Sequence, residues 1–308
     1  MLRARVGRRR FLLGLAATLS LTVTLRPRRA WAFVFEPVIH AHMAGETGAR
    51  SNAYLVETEH GVIAVEALLT VSEARALRAA LDALGKPLLA VLLTHGHPDH
   101  YGGLGVLIGQ ADVPVAATRA VDQALRADRA GKEERLRAAL GDEWLGTPVY
   151  PTRLLADGDS LAFDGLTFTV RDLGPGESNA DSYWTVQPGS AAFVGDVALN
   201  QVHVYLADGH SGLWLASLAR LETALPADAV LYPGHGAAGG RELLAWQRGY
   251  VETYREAVRT LAQGWPALSD AEKRAPSEHM EAFLPSDRLQ RFIVQSADAV
   301  AAELANEP

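Results

Sequence analysis

Residues 94–100 read Thr94-His95-Gly96-His97-Pro98-Asp99-His100, and this stretch decides the fold. It follows Leu88-Leu89-Ala90-Val91-Leu92-Leu93, a continuous apolar run typical of a strand buried on both faces. Three imidazoles and a carboxylate this close together can face one point only around a cation, because protonated imidazoles repel one another. The stretch therefore predicts a metal site in a loop at a strand end, a common place for function. Its candidate ligands are His95, His97, Asp99 and His100.

The composition restricts both the ligands and the class of function. The chain has 308 residues, is 48% hydrophobic and 21% charged, and carries a formal net charge of −7. This acidity disfavours a nucleic-acid partner, and a nuclease in particular, since such proteins usually carry a basic excess. The chain has no cysteine, which excludes disulfides, thiolate ligands and a cysteine nucleophile. The metal ligands must therefore be histidines and carboxylates.

Short strands and helices alternate on both sides of the histidine stretch. Thr70 and Glu73 form a predicted capping box that begins a helix over residues 71–84, and Pro87 ends that region. Pairs of strands followed by helices, repeated twice, predict an α/β fold, an αββα sandwich of two mixed sheets flanked by helices. The predicted strands are 52–57, 62–65, 88–93, 113–117, 161–163, 166–173, 183–187, 191–194 and 229–232, and the other main helices are 120–140 and 211–225.

The pattern His95-x-His97-x-Asp99-His100 resembles the signature of the metallo-β-lactamase superfamily, and the resemblance covers about residues 33–240. It implies the αββα sandwich and a dinuclear centre with two later ligands. Gly195-Asp196 resembles the position of the bridging aspartate in the dinuclear hydrolases. Pro233-Gly234-His235-Gly236 resembles the position of the last histidine ligand. Asp196 and His235 each follow an apolar predicted strand, which supports the resemblance.

One position departs from the family's pattern. The loop 174–182 carries Glu177 where members usually have a histidine. The interpretation that we favour is direct ligation by Glu177 with His95 and His97, as in zinc sites of two histidines and one glutamate. Alternatively, Glu177 holds a water, or the first metal site is weak and the remaining ligands bind a single ion. The resemblance implies two divalent ions, zinc by default, and the added carboxylate makes Mn²⁺ or Fe²⁺ the alternatives.

The resemblance implies a hydrolase in which a metal-bound hydroxide attacks an ester, lactone, amide or phosphate centre. Asp99 is predicted to orient the nucleophile and take up a proton while also binding metal. The segment 200–214 is predicted to line the substrate pocket, with His203 in a catalytic and pocket role and with Tyr205 and His210 as further pocket residues. Trp214 is predicted to be core.

Glu66 ends the second predicted strand, where many members of the family have an aspartate. Two interpretations are open for this side chain. It is either a buried partner of a ligand histidine or an exposed strand end.

The leading functional hypothesis is hydrolysis of a small-molecule ester, lactone or amide-type substrate. A lactonase or other carboxylic-ester hydrolase is favoured over a β-lactamase, because lactamases with a cysteine ligand are excluded. One alternative is a mononuclear iron oxidoreductase of the same fold that acts on sulfur compounds. The other is a non-catalytic exported protein that binds metal. An oligomer is compatible with all three hypotheses.

The first 32 residues are predicted to be a signal peptide. Arg8-Arg9-x-Phe11-Leu12 resembles a twin-arginine signal, and Ala30-x-Ala32 is a small-residue cleavage site. These features predict export, to the periplasm, of a mature chain without a stable membrane span. The alternative is an uncleaved N-terminal anchor. We expect a catalytic domain over residues 33–240 and a C-terminal helical extension over 241–308, packed on it and broken at Pro266, Pro276 and Pro285.

Overall fold

The computed structural model describes residues 37–307. The predicted signal peptide, and the N-terminal anchor proposed as its alternative, lie outside these residues. None of the helices in the described part of the chain combines the length and the apolarity that crossing a bilayer requires.

The first sheet has six strands in the order β1-β2-β3-β4-β5-β6. They are β1 (Val38–Met43), β2 (Asn52–Glu57), β3 (Val62–Val65), β4 (Leu88–Leu92), β5 (Val115–Thr118) and β6 (Arg153–Leu155). The pairs β1–β2 and β2–β3 are antiparallel, and the pairs from β3 to β6 are parallel. The sheet is therefore mixed.

The second sheet has five strands in the order β11-β10-β9-β8-β7. They are β7 (Ser160–Phe163), β8 (Leu166–Gly174), β9 (Asp181–Gln187), β10 (Ala191–Gly195) and β11 (Val230–Pro233). Only the pair β10–β11 is parallel. Two mixed sheets flanked by helices confirm the predicted fold class.

Eight α-helices lie between and after these strands in the described part of the chain, and the last three follow β11. They are α1 (Val71–Ala83), α2 (Pro98–Tyr101), α3 (Leu104–Ile108), α4 (Arg119–Leu140), α5 (Ser211–Ala224), α6 (Glu242–Ala262), α7 (Ala275–Phe283) and α8 (Arg291–Ala305). Only half of the predicted capping box forms at α1. Thr70 Oγ1 accepts from Glu73 N at 3.2 Å, but the Glu73 carboxylate accepts from Gly45 N instead of returning to Thr70.

Alternation along the strands divides the buried side chains among three cores. In β3, Ile63 faces the second sheet, whereas its neighbour Ala64 faces the helices packed on the first sheet. In β10, Phe193 joins the core between the sheets, and Val194 joins the core under α5 and the C-terminal helices. Burying both faces of each sheet in this way stabilises the sandwich, by ~1.5–3 kcal/mol for each large apolar side chain.

The C-terminal helices are part of the core on the outer face of the second sheet. Tyr250 and Val251 of α6 and Ile293 of α8 lie in the same apolar cluster as Leu231 of β11. One predicted helix break is wrong. Pro276 lies in the first turn of α7, where proline is favoured because its missing N–H would have no partner within the helix.

Candidate metal centre

The first group of ligand atoms comes from His95, His97 and Glu177. Glu177 Oε2 lies 3.2 Å from His97 Nδ1 and 3.8 Å from His95 Nε2. The two histidines follow β4, and Glu177 lies in the loop between β8 and β9. All three residues are at most 5% exposed. The structure thus places Glu177 beside His95 and His97, the two histidines with which it was predicted to share a metal ion.

The second group comes from Asp99, His100 and His235. Asp99 Oδ2 lies 3.3 Å from His235 Nε2 and 3.7 Å from His100 Nε2. Asp99 and His100 belong to the short helix α2, and His235 follows β11. These atoms lie close enough together to hold a second ion.

Asp196 lies between the two groups. Its Oδ2 is 3.8 Å from His95 Nε2 and 3.1 Å from His235 Nε2, and its Oδ1 is 3.4 Å from His100 Nε2. Gly234 is required for this approach, because a Cβ at that position would lie 1.7 Å from Asp196 Oδ1. A carboxylate that faces both groups is in position to bridge two ions.

Several of these polar atoms have no partner in the protein. His95 Nε2, His100 Nε2, Asp196 Oδ1 and both carboxylate oxygens of Glu177 are buried without a hydrogen bond among the described residues. An unsatisfied buried polar group costs ~1–3 kcal/mol, and more when it is charged. Cations held between the two groups would satisfy these atoms together, so the residues fit a metal centre.

Neighbouring side chains orient the histidines that are candidate ligands. Thr94 Oγ1 lies 3.0 Å from His95 Nδ1, which leaves Nε2 of that ring for the cluster. Glu66 Oε1 accepts from Thr94 N at 3.0 Å, and Glu66 Oε2 lies 3.8 Å from His100 Nδ1. Glu66 is 1% exposed. Of the two interpretations of Glu66, the exposed strand end is therefore wrong. The carboxylate is buried beside His100, a candidate ligand, and its role as the partner of a ligand histidine stays a prediction.

Asp181 holds the loop that carries Glu177. Its carboxylate accepts from Glu177 N at 2.7 Å and from Ser178 Oγ at 2.6 Å. Ser182 then joins the loop to the histidine stretch, since its N and Oγ both donate to Thr94 O, at 2.9 and 2.7 Å. Sequence reasoning did not single out Asp181. The available signal was Ser178-x-x-Asp181, a spacing typical of turns closed by side-chain hydrogen bonds.

Asp208 is a second residue that sequence reasoning missed. Its Oδ2 lies 3.2 Å from His97 Nε2, on the side of the ring opposite Glu177, and accepts from Asn179 Nδ2 at 3.0 Å. A carboxylate on the far nitrogen of a ligand histidine sets its tautomer and orientation. The residue lies within the segment 200–214, but nothing in the local pattern distinguishes it.

Burial and neighbouring charges shift the pKa values of the candidate ligands in opposite directions. Burial raises the pKa of Glu177 to about 8, although His97 opposes the shift. Burial would also raise the pKa of Asp196, but the charges of His235 and His100 outweigh it and hold the pKa below its usual value. Ligands must be deprotonated to bind metal, so a cation entering this cluster would release protons.

A cleft of about 470 Å³ opens over both groups of ligands. Its lining includes Asp99 and Tyr205, which were predicted for catalysis and for the pocket. The Tyr205 ring lies 5.5 Å from the ring of His97, centroid to centroid. The cleft therefore gives a small molecule access to the candidate metal centre.

His203 lies outside the cleft lining, so its predicted catalytic and pocket role is wrong. The ring is fully buried, with Nδ1 2.9 Å from the Tyr250 hydroxyl and Nε2 2.8 Å from the Ser286 carbonyl oxygen. With both nitrogens engaged by the protein, His203 joins α6 to the loop before α8. His210 also lies outside the lining, with Nε2 3.1 Å from Asn179 Oδ1. Trp214 is buried and donates to Val197 O, in agreement with its predicted place in the core.

Known proteins resemble this chain in sequence and in fold. A family model described as Metallo-beta-lactamase superfamily matches residues 47–235. The hydroxyacylglutathione hydrolase of Bdellovibrio bacteriovorus is 30% identical over 149 residues, which cover 48% of this chain and 49% of that protein. The matched stretches span about half, or less, of the length of the curated relatives.

Among solved structures, a beta-lactamase domain protein from Burkholderia ambifaria matches with a TM-score of 0.62 and 23% identity. That match covers 87% of this chain and 85% of the other. TTHA1623, solved in a di-iron-bound form, matches with a TM-score of 0.52 and 29% identity, over 68% of this chain and 96% of its own.

Proposed function

The chain belongs to the metallo-beta-lactamase superfamily, and on this premise we propose that it is a metal-dependent hydrolase of a small-molecule ester, lactone or amide-type substrate. The observation that carries the proposal is the position of Asp196 between two groups of candidate ligands, beneath an open cleft. Such a pair suits two ions that clamp a substrate between them.

We propose that His95, His97 and Glu177 hold one ion and that Asp99, His100 and His235 hold the other, with Asp196 between them. Direct ligation by Glu177 is supported by the 3.2 Å approach of its Oε2 to His97 Nδ1 and by the lack of any hydrogen bond to either carboxylate oxygen. Zinc is the first candidate for both ions. Three carboxylates in the centre, and the di-iron form of TTHA1623, make manganese and iron the alternatives.

Divalent ions held here would supply Lewis acidity and lower the pKa of water toward ~7. In the proposed reaction the water oxygen forms a bond to the acyl carbon, and the bond from that carbon to the leaving alkoxy oxygen breaks. Asp99 takes the proton that the water loses and returns it to the leaving group, so that water and ester give acid and alcohol. Asp99 is positioned for this role because its carboxylate lines the cleft in which a substrate would bind.

The mononuclear iron oxidoreductase and the non-catalytic metal-binding protein stay as competing proposals. Candidate ligands on both sides of Asp196 favour the dinuclear hydrolase over a centre with one iron. Export to the periplasm also stays a proposal, which rests on the twin-arginine-like sequence near Arg8 and Arg9.

Metal analysis of protein purified without added metal, combined with a panel of ester, lactone, β-lactam and phosphodiester substrates, tests the proposal. We expect about two divalent ions per chain and turnover of an ester or lactone. One iron per chain with oxygen consumption would establish the oxidoreductase instead. Bound metal without turnover of any substrate would establish the binding protein.

Glu177→Gln tests direct ligation. We expect it to weaken binding of one ion by at least ~10–100-fold, as losses around a metal centre typically do. Glu177→His, which restores the family's usual residue, should retain metal. The control is Glu134→Gln, on the exposed face of α4. Unchanged metal content and unchanged ester hydrolysis in Glu177→Gln would show that Glu177 is not a ligand.

A further inference from the structure

Two walls of the cleft come from helices that hold none of the candidate ligands. One wall is α4, and the other is the beginning of α8. The rest of the lining includes the ligands, the loop around Glu46 and the ring of Tyr205. Since α4 and α8 contribute no ligand, the side chains that they place in the cleft are available to select a substrate.

The α4 wall is one stripe of side chains on a single helical face. Each of its residues has another member three or four positions away, which is the spacing of neighbours on one face of a helix. Because a helix rises about 1.5 Å per residue, the stripe extends ~12 Å along the cleft. Its two cations come first, and its apolar side chains follow. The members are Lys132, Arg135, Leu136, Ala139 and Leu140.

Lys132 lies at the end of the stripe nearest the ligands. Its ammonium group pairs with Asp128 and lies 5.8 Å from the ring centroid of Tyr205, the ring that packs against His97. Burial lowers the pKa of Lys132, but the charge of Asp128 outweighs this effect and holds the pKa above its usual value. A charged and partly exposed ammonium group is therefore held beside the candidate metal centre.

Arg135 provides a second cation one turn further along α4. It is exposed, lines the cleft and makes no ion pair with another described residue. On the opposite wall, Arg291 is 3.6 Å from Glu46 and lies over the Phe292 ring at 4.7 Å, so it already has a carboxylate partner, as Lys132 has in Asp128. Arg135 is thus available to an anion that enters the cleft.

We infer that the hydrolase substrate carries a carboxylate on an apolar chain, that Arg135 binds this carboxylate with the charge of Lys132 beside it, and that the apolar chain packs on Leu136, Leu140 and Phe292. The inference rests on the proposed hydrolase function and names its substrate class. Guanidinium and ammonium groups form short, charge-assisted hydrogen bonds with carboxylates. Leu136, Leu140 and Phe292 offer only apolar surface to the cleft. The ring of Phe292 lies 5.3 Å from that of Tyr205, so an apolar surface continues from the ligands to α8.

A matched pair of esters tests the inference on the metal-loaded full chain. One is the para-nitrophenyl hemiester of a medium-chain dicarboxylic acid, and the other is the same ester with its free carboxylate methylated. We expect the hemiester to be favoured in kcat/KM by about tenfold or more, mainly through KM, as charge-assisted hydrogen bonds of ordinary strength predict. Equal kcat/KM values for the two esters would overturn the inference while leaving the hydrolase proposal intact.

Variants assign the preference to the α4 stripe. Arg135→Gln, and the double variant Asp128→Asn/Lys132→Met, which leaves no unpaired buried carboxylate, should each reduce the hemiester-to-methyl-ester ratio several-fold. Arg119→Gln, on the same helix but outside the cleft lining, is the control and should keep the ratio. A ratio unchanged in both stripe variants would contradict the assignment.

Calorimetric binding of the free dicarboxylate to metal-free protein separates failure of this inference from failure of the proposed function. Binding that is lost in the stripe variants, without hydrolysis of any ester by loaded protein, would support the anion site and overturn the hydrolase. Absence of binding to the metal-free protein would count against the anion site whatever the hydrolysis rates.

Discussion

His97 shows how much of this centre depends on single contacts. Its ring has a carboxylate at each nitrogen, with Glu177 3.2 Å from Nδ1 and Asp208 3.2 Å from Nε2. The first contact points the ring into the cluster, and the second fixes which nitrogen keeps its proton. Because Asp208 also accepts from Asn179, its own orientation is set before any cation binds.

Replacing Asp208 by asparagine tests this positioning role. Asp208→Asn keeps the size of the side chain but removes its charge, so His97 loses the partner that makes it a stronger ligand. We expect metal affinity to fall by ~10–100-fold, measured by competition with a chromophoric chelator, with little change in the stability of the metal-free protein. The exposed Asp112→Asn serves as the control. Wild-type affinity in Asp208→Asn would refute the role.

At the scale of elements, one contact fastens the turn between β2 and β3 to the turn between β7 and β8, and so joins the two sheets. Asp164, in the second turn, accepts from Thr58 Oγ1 at 2.7 Å and from His60 N at 2.6 Å, and its Oδ1 lies 2.8 Å from His60 Nδ1. Hydrogen bonds from Thr58 and then His60 lower the pKa of Asp164 from 3.8 to about 2. The carboxylate therefore stabilises the folded state only while it is ionised.

This pKa shift predicts a pH-dependent contribution to stability. A lowered folded-state pKa gives stability that is present above the unfolded value of 3.8 and is lost as pH falls through about 2. Asp164→Asn should therefore have a lower Tm than the wild type above pH ~4, with the difference shrinking in acid. Thermal unfolding of metal-free protein across this range measures it. The exposed Asp228→Asn is the control, and a difference that does not depend on pH would exclude the linkage.

At the scale of the whole molecule, the candidate ligands come from both sheets, so metal binding couples the two halves of the sandwich. His95 and Asp99 follow β4 of the first sheet, whereas Asp196 and His235 follow β10 and β11 of the second. A ligand that binds only the folded state stabilises it by mass action. The metal centre should therefore contribute to global stability as well as to chemistry.

Metal removal tests this coupling. At a free zinc concentration about 100 times its Kd, binding adds ~2.7 kcal/mol to the free energy of unfolding. For a domain of this size we expect Tm to fall by roughly 5–10 °C after chelation and to recover when zinc is restored. His235→Ala should abolish most of this response, whereas His279→Ala, on the distant helix α7, should keep it. A Tm insensitive to chelation in the wild type would contradict the coupling.

Local pattern was enough to predict the sandwich and most of the candidate centre. The apolar run into His95, and the short strands before Asp196 and His235, identify three strand ends from neighbouring residues alone. The parallel strands β10 and β11 bring their carboxyl ends to one edge of the second sheet, so Asp196 and His235 meet there. His95 follows β4 of the first sheet, so its approach to them depends on how the two sheets pack. The resemblance to a known family then gave these positions an order.

Contacts between residues far apart in the chain were decided only by the tertiary structure. Whether Glu177 points into the cluster depends on Asp181 and on the contact of Ser182 with the histidine stretch. The position of His203 depends on Tyr250 and Ser286, which occupy both of its nitrogens and keep it out of the cleft. A histidine near a ligand loop has the same local pattern whether it faces the substrate or the core. The sequence by itself thus determined which strand ends carry the candidate ligands, because local periodicity marks the strand ends and the family resemblance assigns the residues that follow them. The tertiary structure alone decided where the side chains between them point, because long-range packing sets their partners.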